Sequence, residues 1–413
     1  MIDELDLGFG EPERGRPRHV RGRGGKPKPP KKRRRGRSFA AALLAMVLLA
    51  VIGLAGWFGV ETVRSYFTAK DYSGAGSGEA QIQVVSGDSA TEIGNKLFDA
   101  QIVRSTKAFV NAAKANLKSR SVEAGYYRLR QHMKASFALD ALLARGSDGM
   151  LVNKVSTKVT IPEGMIALDI YAALSKASHI PVQQFKDAAK DPIALGVPAW
   201  WYNRTDHKPA MKPPSLEGFL FPATYEFNPN TSAADMLRTM VKKFLDVTTQ
   251  LGFADTVQST LQISPYEALV AASIAQVEAL EADMPGVVRV LYNRVYAHKL
   301  NCNCLGLDSE TNYWLRISGQ KAQQSGDLRR SQLMDPKDPY NTHIANSGMP
   351  IGPISNPGKE ALTAAMTPVP KNDNVFFLAI DKAGNSAFAA TDTEFCRLID
   401  KAIANGVSAS PCR

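Results

Sequence analysis

The sequence predicts an α+β protein in three parts: a single transmembrane helix, a small α/β module, and a larger mixed α+β domain. Three observations carry this. Phe39–Val60 is 22 residues long and has no charge and no proline. From Gln81 on, short alternating strand patterns give way to amphipathic helical patterns at close intervals. From Pro214 on, the chain turns dense in aromatic and apolar residues, carries one almost wholly apolar helix, and closes on a hairpin pattern.

The chain has 413 residues, 44% of them apolar, enough for two or three domains. Its formal charge is +11, and residues 1–37 contribute most of it, with 13 Lys/Arg against 5 Asp/Glu. The basic character therefore belongs to the tail. Residues 1–37 are rich in Pro, Gly and Arg and are expected to be a disordered cytoplasmic tail. The tail lacks interleaved aromatics and abuts an apolar span, so nucleic acid is not among the expected partners. A helix over 38–60 would be long enough for a hydrocarbon core of ~30 Å. It exceeds a signal-peptide core, and no small-x-small cleavage site follows it. The cluster KPKPPKKRRRGR before it fixes the N-terminus inside the cell. The expected place is the cell membrane, spanned once, with everything after residue 60 outside the cytoplasm. Residues 61–80 read as a linker: Glu61–Lys70 continues the helix, and YSGAGSGEA is flexible. The four cysteines, Cys302, Cys304, Cys396 and Cys412, all lie beyond the span, where disulfides form. A bridge between Cys302 and Cys304 would be strained, so each is expected to pair with Cys396 or Cys412. A zinc site from His298 and these thiols lacks ligand spacing, and no metal or cofactor is expected.

Residues 81–150 form the small module. QIQVV is a strand, 89–99 and 107–115 are helices, EAGYYRL is a second strand, and 136–144 is a third helix. Strand–helix–helix–strand with short connections resembles the LysM module, which binds N-acetylglucosamine polymers. A plain structural α/β unit fits the same pattern. Residues 151–213 read as a connecting α/β segment. There KVTI, the turn PEGM and a helix at 167–176 repeat the strand–turn–helix order of QVVSGDSATEIGNKL. VPAWWYNR presents aromatic surface that can stack on sugars or pack inside.

Residues 214–406 form the large domain. Helices are expected at 232–247, from Ser264, at 287–297, 359–366 and 393–404, with a hairpin at 374–381 and 386–389. The central stretch is SPYEALVAASIAQVEALEADMPGVVRVLYNR, residues 264–294. Ser264, Pro265 and Glu267 are a helix-start signature. Ala271, Ile274 and Glu278 share one face. A carboxyl that continues an apolar stripe holds its proton, as a general acid requires. The alternative is a wet helix end with Glu278 paired to Arg289 or Arg294. Glu281 lies one turn further on the same side, and periodicity does not exclude it; Asp283 also competes.

The strings IPEG (161–164), LEGFLFPATY (216–225), ASIAQVE (272–278), VLYNR (290–294), LGLDSETNY (305–313), YNT (340–342) and GMPIGPISNPG (348–358) occur in this order behind one anchor. Together they resemble the membrane-anchored endolytic murein transglycosylases of the YceG-like type. The resemblance covers about residues 81–400. It implies that Glu278, the second position of an E/Q-x-E motif, is catalytic, with Gln276 at the first. It implies a lytic cut of the β-1,4 bond between N-acetylmuramic acid and N-acetylglucosamine, leaving a 1,6-anhydro end. Glu217, Asp308, Tyr340 and Asn341 are the expected substrate-binding residues of the cleft; a structural role fits each of them equally, with Glu217 capping or pairing and Asn341 holding a turn. The chain departs from the family's L-Q-(S/T)-D-x-T at Leu305-Gly306-Leu307-Asp308, where two polar side chains are missing. The partners implied are peptidoglycan glycan strands, the membrane and peptidoglycan synthases. A hydrolase using a second carboxyl, Asp308 or Glu217, and a non-catalytic glycan binder that recruits wall synthases are the alternatives.

Overall fold

In a computed structural model, the structure describes residues 43–57, 68–209, 211–345, 347–407, 409 and 411–412. The chain divides into two units, Met1–Ala69 and Lys70–Arg413. In the first, α1 (residues 43–57) is a helix whose apolar side chains are exposed. The basic tail and both ends of the expected 38–60 span lie outside the described residues. Among the described residues, no helix is long and apolar enough to cross a membrane.

The second unit begins with a strand earlier than the sequence predicts. β1 (Ala75–Val84) takes in residues that read as flexible linker. The glycines there serve close approach: a Cβ on Gly76, at φ +76°, would lie 2.2 Å from the Gln131 carbonyl oxygen. α2 (Ala90–Asp99) starts on a Ser89–Glu92 capping box, and α3 (Thr106–Ala115) on Ser105. β2 (Gly125–Met133) pairs antiparallel with β1, from Ala75 opposite Met133 to Val84 opposite Gly125. α4 (Ala135–Leu143) and the short β3 (Lys154–Val155) complete a sheet of order β1–β2–β3. Leu97, Ile102, Phe109, Tyr127, Leu139 and Leu142 fill the core beneath it.

β4 (Thr157–Thr160) pairs antiparallel with β5 (Thr224–Phe227). α5 (Ala167–Ser178) and α6 (Val182–Ala188) lie between them in sequence. This pairing corrects the expected boundary near 213, because one hydrophobic cluster runs from Val159 to Met366. The stretch 151–213 is part of the large domain, not a connection to it. α7 (Ala233–Gln250) and α8 (Phe253–Thr256) follow, then α9 (Pro265–Glu278), α10 (Met284–Val295), α11 (Asp308–Ile317) and α12 (Arg330–Leu333). α13 (Lys359–Met366), the hairpin β6 (Phe376–Ala379) with β7 (Ser386–Ala389), and α14 (Asp392–Ala404) close the chain.

The expected cysteine pairing is overturned. Cys302 bridges Cys304, and Cys396 bridges Cys412. Asn303, at φ +43°, folds the chain back between the first two. Their Cα atoms come to 5.2 Å, inside the ordinary range for a bridge. Asn is among the residues that accept this left-handed conformation most readily, so the tight pairing costs less than the spacing implied.

Candidate active site

α9 is the axis of the large domain. The Ser264 hydroxyl accepts from the Glu267 amide, and Glu267 Oε2 accepts from the Ser264 amide, with Pro265 opening the helix. Every residue from Pro265 to Ala275 is buried. The helix must therefore lie inside, and only its last turn reaches the surface. There Gln276 and Glu278 are half-buried and Val277 is exposed. Ala279 turns to extended backbone and ends it.

One distant segment, residues 354–358, holds the end of the helix. The Ser273 hydroxyl accepts from the Ile354 amide (3.0 Å), and the Ser273 carbonyl accepts from the Ser355 hydroxyl (2.9 Å). Gln276 Oε1 accepts from the Gly358 amide (2.8 Å). Asn356, fully buried, is the hub. Its Nδ2 donates to the Met165 carbonyl (3.0 Å) and to Glu217 Oε1 (2.6 Å), and its Oδ1 accepts from the Leu220 amide (2.8 Å). Its own carbonyl accepts from the Gly164 amide (2.9 Å). The IPEG, LEGF and SNPG strings thus meet on one side chain behind α9. Gly218, at φ +88°, is needed where two of them touch: a Cβ there would lie 2.6 Å from Pro353 Cγ.

The start of α11 forms the other wall. The Thr342 hydroxyl accepts from the Leu307 amide (3.2 Å) and donates to Glu310 Oε2. His343 Nε2 lies 3.3 Å from Asp308 Oδ1. The YNT string therefore fixes the helix that carries Asp308, Ser309 and Glu310. All three bear on Glu278. Burial pushes the Glu278 carboxyl up, Ser309 opposes this, and the Asp308 charge adds to the rise. Ser309 Oγ is near enough to act on Glu278 without completing a hydrogen bond of ordinary geometry. Glu310 is fully buried, and burial drives its carboxyl well up against the Thr342 hydrogen bond, with Glu278 and Asp338 raising it further. Two carboxyls so placed each oppose ionisation of the other.

The helix-end ion pair with Arg289 or Arg294 does not form. Arg289 Nε donates to the Val369 carbonyl at 2.8 Å. Arg294 donates to the Leu305 carbonyl and lies over the Phe376 ring at 5.3 Å. Of the competing carboxyls, Glu281 is exposed, and Asp283 accepts from the Ser386 amide of the hairpin (2.6 Å).

Among the four expected cleft residues, Asp308 alone stands beside Glu278. The other three are interior and brace the site without lining it. Glu217 is 1% exposed and caps the start of α5: both its oxygens accept from the Ala167 amide at 3.0 Å, and Oε2 also accepts from the Tyr313 hydroxyl (2.9 Å). Tyr340 is buried edge-on against Tyr313 at 4.8 Å. Asn341 holds a turn, donating to the Leu333 and Asp335 carbonyls and accepting from the His343 amide. Sequence reasoning placed these three in the cleft because their strings flank it; the strings are support.

Burial pushes the Glu217 carboxyl up to about 7 against its three hydrogen bonds. A carboxyl raised by folding lends its full stability below its ordinary value of 4.5, and that contribution is lost as pH climbs through about 7. The loss is about 3 kcal/mol at most. The melting temperature is expected to fall between pH 5 and 7.5, and Glu217→Gln to flatten that fall. A thermal melt series read by circular dichroism checks both.

Three residues of the site were missed: Asn356, Glu310 and Glu163. The Glu163 carboxyl is raised by partial burial and by Glu360, while a hydrogen bond with Gln276 opposes this. It packs so closely on Gly358 that a Cβ there would lie 2.0 Å from Glu163 Oε1.

A carboxyl whose ionisation its surroundings oppose, at the end of a buried helix, backed by braced loops and facing a second polar wall, has the arrangement a general acid requires on an α+β scaffold. The sequence model of the family described as YceG-like family matches residues 82–401, and the chain belongs to that family. It is 28% identical over 334 residues to the endolytic murein transglycosylase of Bacillus subtilis (strain 168), covering 78% of this chain and 85% of the relative. It is 25% identical over 356 residues to the endolytic murein transglycosylase of Streptococcus pneumoniae (strain ATCC BAA-255 / R6), and there it spans 62% of the relative's length. A solved structure of a yceG-like protein from Listeria monocytogenes is 26% identical, with a TM-score of 0.49, covering 78% of this chain and 99% of that one.

Proposed function

We infer that this chain is an endolytic lytic transglycosylase of peptidoglycan, with Glu278 as its single acid–base group. The observation that carries the reading is the half-buried Glu278, its carboxyl pushed up by burial and by Asp308, at the position the family motif assigns to catalysis. Glu278 gives its proton to the glycosidic oxygen as the bond between the N-acetylmuramic acid and N-acetylglucosamine residues breaks. The carboxylate so formed takes the proton of the muramic residue's own C6 hydroxyl. O6 then bonds to C1, closing a 1,6-anhydro ring, and the enzyme ends as it began. No water is consumed, so no second carboxylate is required to activate one, unlike in an inverting hydrolase. Asp308, held by His343, is the residue we assign to the substrate side of the cleft.

The same reading puts the chain in the cell membrane, with its tail in the cytoplasm and its second unit outside. The exposed apolar helix at 43–57, the basic run before it, and two disulfides beyond it support this. The order β1–α2–α3–β2 supports a LysM-like, glycan-holding role for the first module. A position close to the membrane suits nascent strands, and peptidoglycan synthases are the partners such a place implies.

Purified glycan strands incubated with residues 70–413 are expected to yield 1,6-anhydro ends, read by mass spectrometry. Reducing ends would assign the chain to the hydrolases. Bound but uncut strands would assign it to the binders.

A further inference from the structure

A pocket of about 340 Å³ lies away from Glu278, lined by Pro198, Trp200, Trp201, Thr249, Phe253 and Asp255 among others. Its wall is an aromatic stack. Trp201 is 1% exposed and wedged against Phe219, Phe244 and Phe253, with Trp200 lying on it at 5.0 Å and 20°. Trp200 is 46% exposed, the outer plate of the stack. A large indole left in water beside a concavity, on so rigid a base, is a platform for an apolar ring face. The Trp201 indole N–H is buried and has no hydrogen-bond partner. Thr249 and the Asp255 carboxylate supply polar groups on the same rim.

We propose that this pocket is a second glycan subsite, taking an N-acetylated aminosugar residue of the strand. The sugar's apolar face lies on Trp200, and its hydroxyls donate to Asp255 and meet the Thr249 hydroxyl at the rim. The proposal rests on the reading that the substrate is a glycan. A lipid surface fits less well: the site is concave, and its charged rim residue is acidic, which an anionic leaflet repels. Trp201 packs on Phe219, and Phe219 on Tyr266 at the start of α9. Glu278 ends that helix, 14 residues or about 20 Å on. The pocket thus lies by the start of the helix that ends in Glu278.

The test uses the full chain carrying Glu278→Gln, labelled with 5-fluorotryptophan. It has four tryptophans, and Trp200→Phe identifies the Trp200 resonance. Titration with tetra-N-acetylchitotetraose is expected to shift the Trp200 and Trp201 signals saturably. Asp255→Asn, a substitution at a pocket-rim residue, is expected to weaken that titration about tenfold. Signals that do not move, or that move only with phosphatidylglycerol vesicles or with rising protein concentration, would overturn the proposal. The unsubstituted chain is assayed beside it for anhydro ends. Shifts without anhydro ends sink the reaction and keep the subsite; anhydro ends without shifts do the reverse.

Discussion

Glu278→Gln is expected to lower production of 1,6-anhydro ends by about 10³-fold or more while leaving the thermal melt unchanged. The amide keeps the shape and the hydrogen-bonding of the neutral carboxyl but cannot give or take the proton. Residual activity near that of the unsubstituted chain would remove Glu278 from the chemistry. The pH profile carries a finer test of the same environment. Activity needs the protonated form, so it falls on the alkaline side as pH rises through the raised Glu278 value. Asp308 raises that value and Ser309 lowers it. Asp308→Asn is therefore expected to move the alkaline limb down in pH, and Ser309→Ala to move it up. Limbs that move together, or not at all, would mean that the charge and hydroxyl beside Glu278 do not act on it.

Asn356→Ala is expected to be the most destabilising single change in the site, at about 3–5 kcal/mol. The loss is not of one contact. The Leu220 amide, the Met165 carbonyl and Glu217 Oε1 each lose a buried partner, and Glu217 loses one of the groups that make its burial tolerable. The loop from 353 to 358 keeps its bonds to Ser273 and Gln276 of α9 but loses its tie to the segments at 165 and 217–220, so activity should fall along with stability. Urea unfolding measures the first effect and the anhydro-end assay the second. A cost below about 1 kcal/mol would show that the loops are held by apolar packing, with Asn356 incidental.

Much of the scaffold was legible because its signals are local. The Ser264–Pro265–Glu267 start, the alternation in QIQVV and the Ala383-Gly384 turn each decide their own structure within a few residues. The misreadings share a different cause. YSGAGSGEA looked like a flexible linker because glycine permits flexibility, yet Gly76 is there for the approach of β2, some 55 residues away. Cys302 and Cys304 looked too close because spacing does not reveal a left-handed Asn303. Glu217, Tyr340 and Asn341 looked like cleft residues because polar and aromatic side chains in a motif read as functional. What they do is satisfy one another and the backbone in the interior, and only long-range pairing tells a brace from a ligand. Two omissions had a visible signal. Glu310 stands where the D-x-T of the family pattern has threonine, a carboxyl in a place made for a hydroxyl. Asn356 sits inside the most Gly- and Pro-rich of the seven strings, where a buried amide is the natural partner for a backbone that cannot pair with itself.

The hub at Asn356 also sets an order of events in the life of the chain. Its partner Met165 lies 191 positions earlier, and the Gln276 contact with Gly358 spans 82. Contacts this distant close late, because the loop entropy must be met before they form. α9 is synthesised with Glu278 already on it, but the loop that braces its last turn arrives about eighty residues later. Until then the acid has no cleft. The last turn of α9 therefore takes its support only from a part of the chain made after it.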